Sequence, residues 1–170
     1  MARDPRHLGP RINRPWRFEA LAGARAPNWY RARVGGRLAV SVREKFNRLF
    51  VEVCASREWI CQSDQVEVKL ESGRRQVVHL MYFEHEGRLM VRFHTVIGST
   101  ERIRAGRLQY ALEINFSLPH GAMAVQSDEL VMVDTLILAD ADPGEIEASL
   151  EYLAATADHY EASIFGPDVH

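Results

Sequence analysis

The 170-residue chain has only two cysteines, Cys54 and Cys61, and only two lysines, Lys45 and Lys69. Two cysteines outside a Cys-x-x-Cys spacing cannot form a disulfide framework and predict two reduced thiols. No run approaches the roughly 18 uninterrupted apolar residues that a membrane helix requires, and the N-terminus lacks the apolar stretch of a secretory signal. The expectation is a cytoplasmic protein with no membrane partner. Glycine-rich phosphate loops are missing as well: Gly35-Gly36 lacks the Gly-Lys-Ser/Thr ending, which removes the basis for nucleotide binding. Positive charge is absent beyond Arg107, since residues 108–170 hold twelve acids and no lysine or arginine.

What is present belongs to a globular protein, with 46% apolar and 26% charged residues in a length that fits one core. The net charge of −2 conceals a division. Residues 1–40 carry nine arginines against Asp4 and Glu19, a net of +7, so residues 41–170 carry −9. The first forty residues also hold four of the seven prolines and four of the eleven glycines without a sustained apolar period. They predict a flexible basic arm, and residues 41–170 a single domain. With Trp16, Phe18, Trp29 and Tyr30, the arm motivates an alternative reading as a nucleic-acid-associated regulator. That reading is less favoured, because the arm has no recognisable binding module. The acidic C-terminal third repels phosphates and attracts basic segments.

Periodicity and punctuation divide the domain into eight elements. Ser41 and Glu44 have capping-box spacing, and Val42, Phe46, Leu49, Phe50 and Val53 recur at helical intervals to about residue 56. Strands are predicted over 65–70, 76–84 and 88–97, separated by Ser72-Gly73 and His85-Glu86-Gly87. The third of these buries Leu89, Val91, Phe93, Thr95 and Ile97. The second buries either Val77, Met81 and Phe83 or Val78, Leu80 and Tyr82, depending on hairpin register. A helix over 103–118 ends at Pro119, and its residues Leu108, Tyr110, Ala111, Leu112, Ile114, Phe116 and Leu118 leave little polar circumference. Such a helix needs cover on more than one side, which a symmetric copy of the chain would supply. Strands over 122–126 and 129–138 follow. Asp142-Pro143-Gly144-Glu145 then opens a last helix with the stripe Ile146, Leu150, Leu153, Ala157, Tyr160 and Ile164. The order α-β-β-β-α-β-β-α is that of an α+β domain with an antiparallel sheet packed against helices.

Catalytic and metal chemistry find little support. His79 and His94 become neighbours only if their hairpin closes on a two-residue loop, with Glu84 and His85 at its tip, and zinc would need a third protein ligand. There is no Gly-x-Ser-x-Gly elbow, and Cys54 and Cys61 have no sequence cue for a nearby base. The acids Asp140, Asp142, Glu145 and Glu147 lack calcium-loop spacing and fit a helix N-terminus. The expectation is a protein without enzymatic activity, metal or cofactor.

The pattern Leu-x-x-Ala-Leu-x-x-Asn (Leu108 to Asn115), then Leu118-Pro119-His120-Gly121, a Glu-Leu-Val strand (Glu129–Val131) and an Asp-Pro-x-Glu helix resembles the bacterial YbjN family. That family is similar in fold to type III secretion chaperones of the CesT type. The resemblance covers roughly residues 41–165 and leaves the basic arm outside. It implies a homodimer that packs through Leu108, Ala111, Leu112 and Asn115 and holds an extended segment of an unidentified client protein. Tyr82, Met90 and Val96 are candidates for that contact on the open side of the sheet. The YbjN likeness also implies a regulatory or stress-related role.

Overall fold

The structure, a computed structural model, describes residues 37–103 and 105–165, so the predicted basic arm before Arg37 lies outside the described residues. Helix α1 spans Arg37–Ser56, and a turn leads to the two-residue strand β1, Ile60–Cys61. Strands β2 (Gln65–Lys69), β3 (Arg75–His85) and β4 (Arg88–Ser99) form a meander. Helix α2 (Ala105–Ile114), the hairpin β5 (Ala122–Gln126) and β6 (Glu129–Ile137), and helix α3 (Pro143–Phe165) complete the chain. The six strands make one antiparallel sheet in the order β1-β2-β3-β4-β6-β5. This is the α+β fold class expected from the sequence. No helix among the described residues is long and apolar enough to cross a membrane.

Local chemistry explains most of the boundaries. The β3–β4 hairpin closes on Glu86-Gly87, both with positive φ, and His85 lies opposite Arg88. A two-residue loop with two left-handed residues matches the twist of the flanking strands. This register places Val78, Leu80 and Tyr82 beside Val91, Phe93 and Thr95 on the face that the helices cover. At the start of α3, the Glu145 N–H donates to Asp142 Oδ1 at 2.9 Å and the Asp142 N–H donates to Glu145 Oε2 at 3.4 Å, a reciprocal cap.

Three boundaries differ from the sequence reading. Helix α1 is already running at Arg37, so Ser41 lies inside it and is not its cap. Strand β1 has only two residues and therefore no period to detect. Helix α2 ends at Ile114 rather than 118, because the N–H groups of Asn115, Phe116 and Ser117 each bond three residues back, a tightening that stops an α-helix.

The core lies between the sheet and helices α1 and α3. Phe46 of α1 meets Tyr82 edge-on and Phe93 at a tilt, while Ile146, Leu150, Leu153, Ala154 and Ala157 of α3 are fully buried. Burying a side chain the size of Phe46 or Leu150 stabilises by about 1.5–3 kcal/mol. Outside the core, Arg57 bridges Glu147 and Glu151, and Arg74 meets Asp158, so basic residues around β1 and β2 engage the acids of α3.

Candidate protein-binding surfaces

Because α1 and α3 pack on one face of the sheet, the residues that alternate with the core positions form a second face that neither helix covers. Strand pairing defines it: Gln65, Glu67 and Lys69 of β2; Val77, His79, Met81 and Phe83 of β3; Met90, Arg92, His94 and Val96 of β4; Val131, Val133, Thr135 and Ile137 of β6. Met81, Phe83, Met90, Val96, Val133 and Ile137 are half-buried, and Val77 is exposed. The face is therefore apolar over much of its area and open to solvent, a property that marks interaction surfaces.

Polar groups cross the middle of this apolar field. His79 lies directly opposite His94, and the rings stack with centroids 5.2 Å apart. His94 Nδ1 is buried without a hydrogen-bond partner among the described residues. Burial, reinforced by His79 and Arg92, pushes the His94 imidazole down to about 4. Arg92 extends across the face: its Nε donates to Thr135 Oγ1 at 3.2 Å, and its guanidinium sits 5.0 Å from the centre of the Phe83 ring.

Beyond the histidine pair the sheet forks. The β3–β4 ladder stops at His79 and His94, after which β3 stays paired with β2 and β4 with β6. Side chains bridge the opening. Thr95 Oγ1 donates to the Val77 carbonyl at 2.7 Å, while Gln76 Nε2 donates to Thr95 Oγ1 at 2.7 Å and to the Val96 carbonyl at 3.0 Å.

The expected contact residues divide between the two faces. Met90 and Val96 lie on the open face, as does the His79/His94 pair. Tyr82 does not: the two-residue loop turns it to the helix side, where it is 8% exposed, donates to Asn47 Oδ1 at 3.0 Å and lies beneath the Arg43 guanidinium. Its place is taken by Met81 and Phe83, the alternative set that hairpin register left open.

The second surface is around α2. Of the four residues expected at a dimer contact, Leu112 is 55% exposed, whereas Leu108 is half-buried against the core. Ala111 and Asn115 require correction as contact residues. Ala111 is fully buried in its own chain, and Asn115 is occupied by β5, where Nδ2 donates to the Met123 carbonyl at 3.0 Å and Oδ1 accepts the Met123 N–H at 2.7 Å. The stripe that faces outward contains Leu112 and Phe116, the latter 98% exposed, with Tyr110 and, on β5, Val125 also exposed.

Residues with chemical potential are placed in structural roles. Asp134 accepts from Ser149 Oγ at 2.7 Å and lies 3.5 Å from His120 Nδ1, which places a carboxylate between serine and histidine. Nucleophile activation needs the imidazole in that middle position, so the arrangement fastens the loop before β5 to α3. His120 also rests on the Tyr152 ring at 4.0 Å. Cys54 and Cys61 are free thiols in contact; burial, with Cys61 alongside, pushes the Cys54 thiol up to about 12 and away from nucleophilic character. Among the described residues no group of three or more His, Cys, Asp and Glu side chains is arranged to hold a metal ion.

No protein-family model and no curated protein matches the sequence. Solved structures do match the fold. A chain of the ExsC–ExsE complex superposes with a TM-score of 0.54 at 12% identity, covering 75% of this chain and 97% of that one. At this identity the likeness is one of fold. Lower scores are found with the HopA1–SchA chaperone–effector complex (TM-score 0.47, 6% identity, 72% and 94% covered) and with the Yersinia pestis type III secretion chaperone SycH bound to a fragment of YscM2 (0.45, 17%, 67% and 98%).

Proposed function

We propose that this protein is a chaperone-like binding protein that holds an extended segment of a partner protein on its open sheet face, without enzymatic turnover. The observation that carries the reading is the face itself: a six-stranded sheet packed by helices on one side, with Met81, Phe83, Met90, Val96, Val133 and Ile137 half-exposed on the other. An extended chain laid over a strand presents alternate side chains to such a surface, and those side chains supply the specificity. A chain of the ExsC–ExsE complex, which is a complex of two proteins, shares this fold, and that likeness supports the reading. The finer YbjN resemblance, over roughly residues 41–165, rests on the sequence motifs alone.

The active form is a homodimer that covers Leu112, Phe116 and Val125 with the same residues of a second copy. Exposed apolar side chains on one helix, the turn after it and the edge strand form the kind of patch that a two-fold contact buries on both subunits. Light scattering on the full chain tests the assembly: a mass near twice 19.4 kDa is expected, and a monomer at micromolar concentration overturns it. Partner binding is tested by selecting random twelve-residue displayed peptides on the full chain. Selected peptides should lose binding to Met90→Glu and keep it with Leu112→Glu; failure to select any peptide sensitive to Met90→Glu overturns the sheet-face site.

A further inference from the structure

Charge on this molecule is sorted by face in a way that its total conceals. Residues 41–165 carry twelve basic and twenty acidic side chains, a net of −8. The acids Glu145, Glu147, Glu151, Asp158 and Glu161 belong to α3, the helix on the covered side of the sheet. The open face carries the opposite sign. Lys69, Arg75, Arg88 and Arg92 project on it with His79 and His94, against Glu67 and Glu129, and Glu67 is already engaged by Arg75 at 3.4 Å.

Arg92 is the exceptional member of this group. It stands at the centre of the face, half-buried, between Met81 and Thr135 in its own cross-strand row and next to the row Phe83, Met90 and Ile137. Its contacts are neutral: the Thr135 hydroxyl and the Phe83 ring. Among the described residues no carboxylate lies within ion-pair distance of it. Covering such a face with a purely apolar segment would remove water from a guanidinium and leave its charge uncompensated, which is strongly unfavourable. Supplying a carboxylate instead forms a charge-assisted and geometrically specific pair as the surface is covered.

From this geometry we infer that the open face selects acidic, apolar partner segments, with an aspartate or glutamate seated on Arg92 and apolar side chains on Phe83, Met90 and Ile137. The inference rests on the sheet-face reading above and sharpens it, and it runs against the net charge of the domain, which by itself favours basic partners. Burial holds the His94 imidazole uncharged at neutral pH, and the fixed cation among the apolar side chains at the centre of the face is Arg92.

The test compares random twelve-residue displayed peptides selected on the full chain with those selected on full-chain Arg92→Gln, both in 0.15 M salt. Peptides from the native protein should be enriched in a central Asp or Glu flanked by apolar residues, and that enrichment should vanish with Arg92→Gln. A synthetic peptide carrying the selected glutamate should bind the native protein at least fivefold tighter than its glutamine counterpart, and Arg92→Gln should bring the ratio to about one. Neutral or basic selected peptides that are lost on Met90→Glu would overturn the acidic preference while leaving the site in place. Acidic enrichment that persists with Arg92→Gln would assign it to other basic residues, Lys69, Arg75 and Arg88 of the face or the arginines of residues 1–40, and overturn the role of Arg92. The absence of any peptide sensitive to Met90→Glu would overturn both the site and the inference.

Discussion

Asn115 holds Met123 by both of its backbone groups, accepting its N–H at 2.7 Å and donating to its carbonyl at 3.0 Å. In an antiparallel strand the N–H and C=O of one residue point the same way, so those of Met123 point away from β6 and would otherwise lie on an open edge. The carboxamide takes the place of a neighbouring strand at that point, which blunts the β5 edge against further pairing.

Replacing Asn115 by alanine should therefore cost stability and leave an unpaired edge. Two hydrogen bonds at about 1 kcal/mol each give an expected loss of about 2 kcal/mol, read as a lower urea midpoint, together with faster amide exchange at Met123. An unchanged exchange rate would show that the edge is covered by something else.

Substitutions on α2 and in the turn that follows it should separate dimerisation from folding. Leu112→Glu and Phe116→Glu place charge on exposed positions and should give a folded monomer by light scattering with near-native thermal stability. Ala111→Glu forces a charge into a fully buried site and should unfold the chain instead. A folded Ala111→Glu monomer would mean that the helix presents its other face to its own core.

The His94 ring links stability to pH. Burial and its neighbours hold its folded-state value near 4, below the ordinary value of 6.5, so the unfolded chain binds more protons between these limits. Stability is thus fully present above about pH 6.5, falls as pH drops towards 4, and levels off below that. The effect amounts to about 3 kcal/mol at most. Urea titrations from pH 7 to 4 should show His94→Gln losing less stability than the native chain over this window, and parallel curves would count against it.

Gly121 cannot be replaced without strain. Its φ is +68°, and a Cβ there would lie 2.9 Å from the Val133 carbonyl oxygen, a backbone atom that cannot step aside. Gly121→Ala should destabilise by about 1–3 kcal/mol in thermal or urea unfolding. Gly73→Ala, also at positive φ but with open space around it, should cost less.

Tyr82 and Met90 provide a control for the two faces. Tyr82→Phe should lose about 1 kcal/mol with its Asn47 bond and leave peptide binding unchanged, because Tyr82 faces the helices. Met90→Glu should abolish peptide binding with little change in stability. The reverse pattern would put the binding surface on the helix side.

The sequence by itself determined the element order, because the periods of Phe46–Val53, Leu89–Ile97 and Ile146–Ile164 are set by which side chains must share a face. It also determined the sharp turns, since Glu86-Gly87 and Asp142-Pro143-Gly144-Glu145 carry their conformations in a few adjacent residues. Tertiary structure alone decided what covers each face. Periodicity puts Leu108, Ala111, Leu112 and Asn115 on one stripe, but whether a stripe meets its own core, an edge strand or solvent depends on residues far along the chain, such as Met123. The same holds for the sheet fork bridged by Gln76 and Thr95, which has no local signature, and for the placement of Arg92. A charge total is a sum over the chain, whereas recognition depends on where each charge is held, and that position is fixed only when β3, β4 and β6 pair and the helices occupy one side.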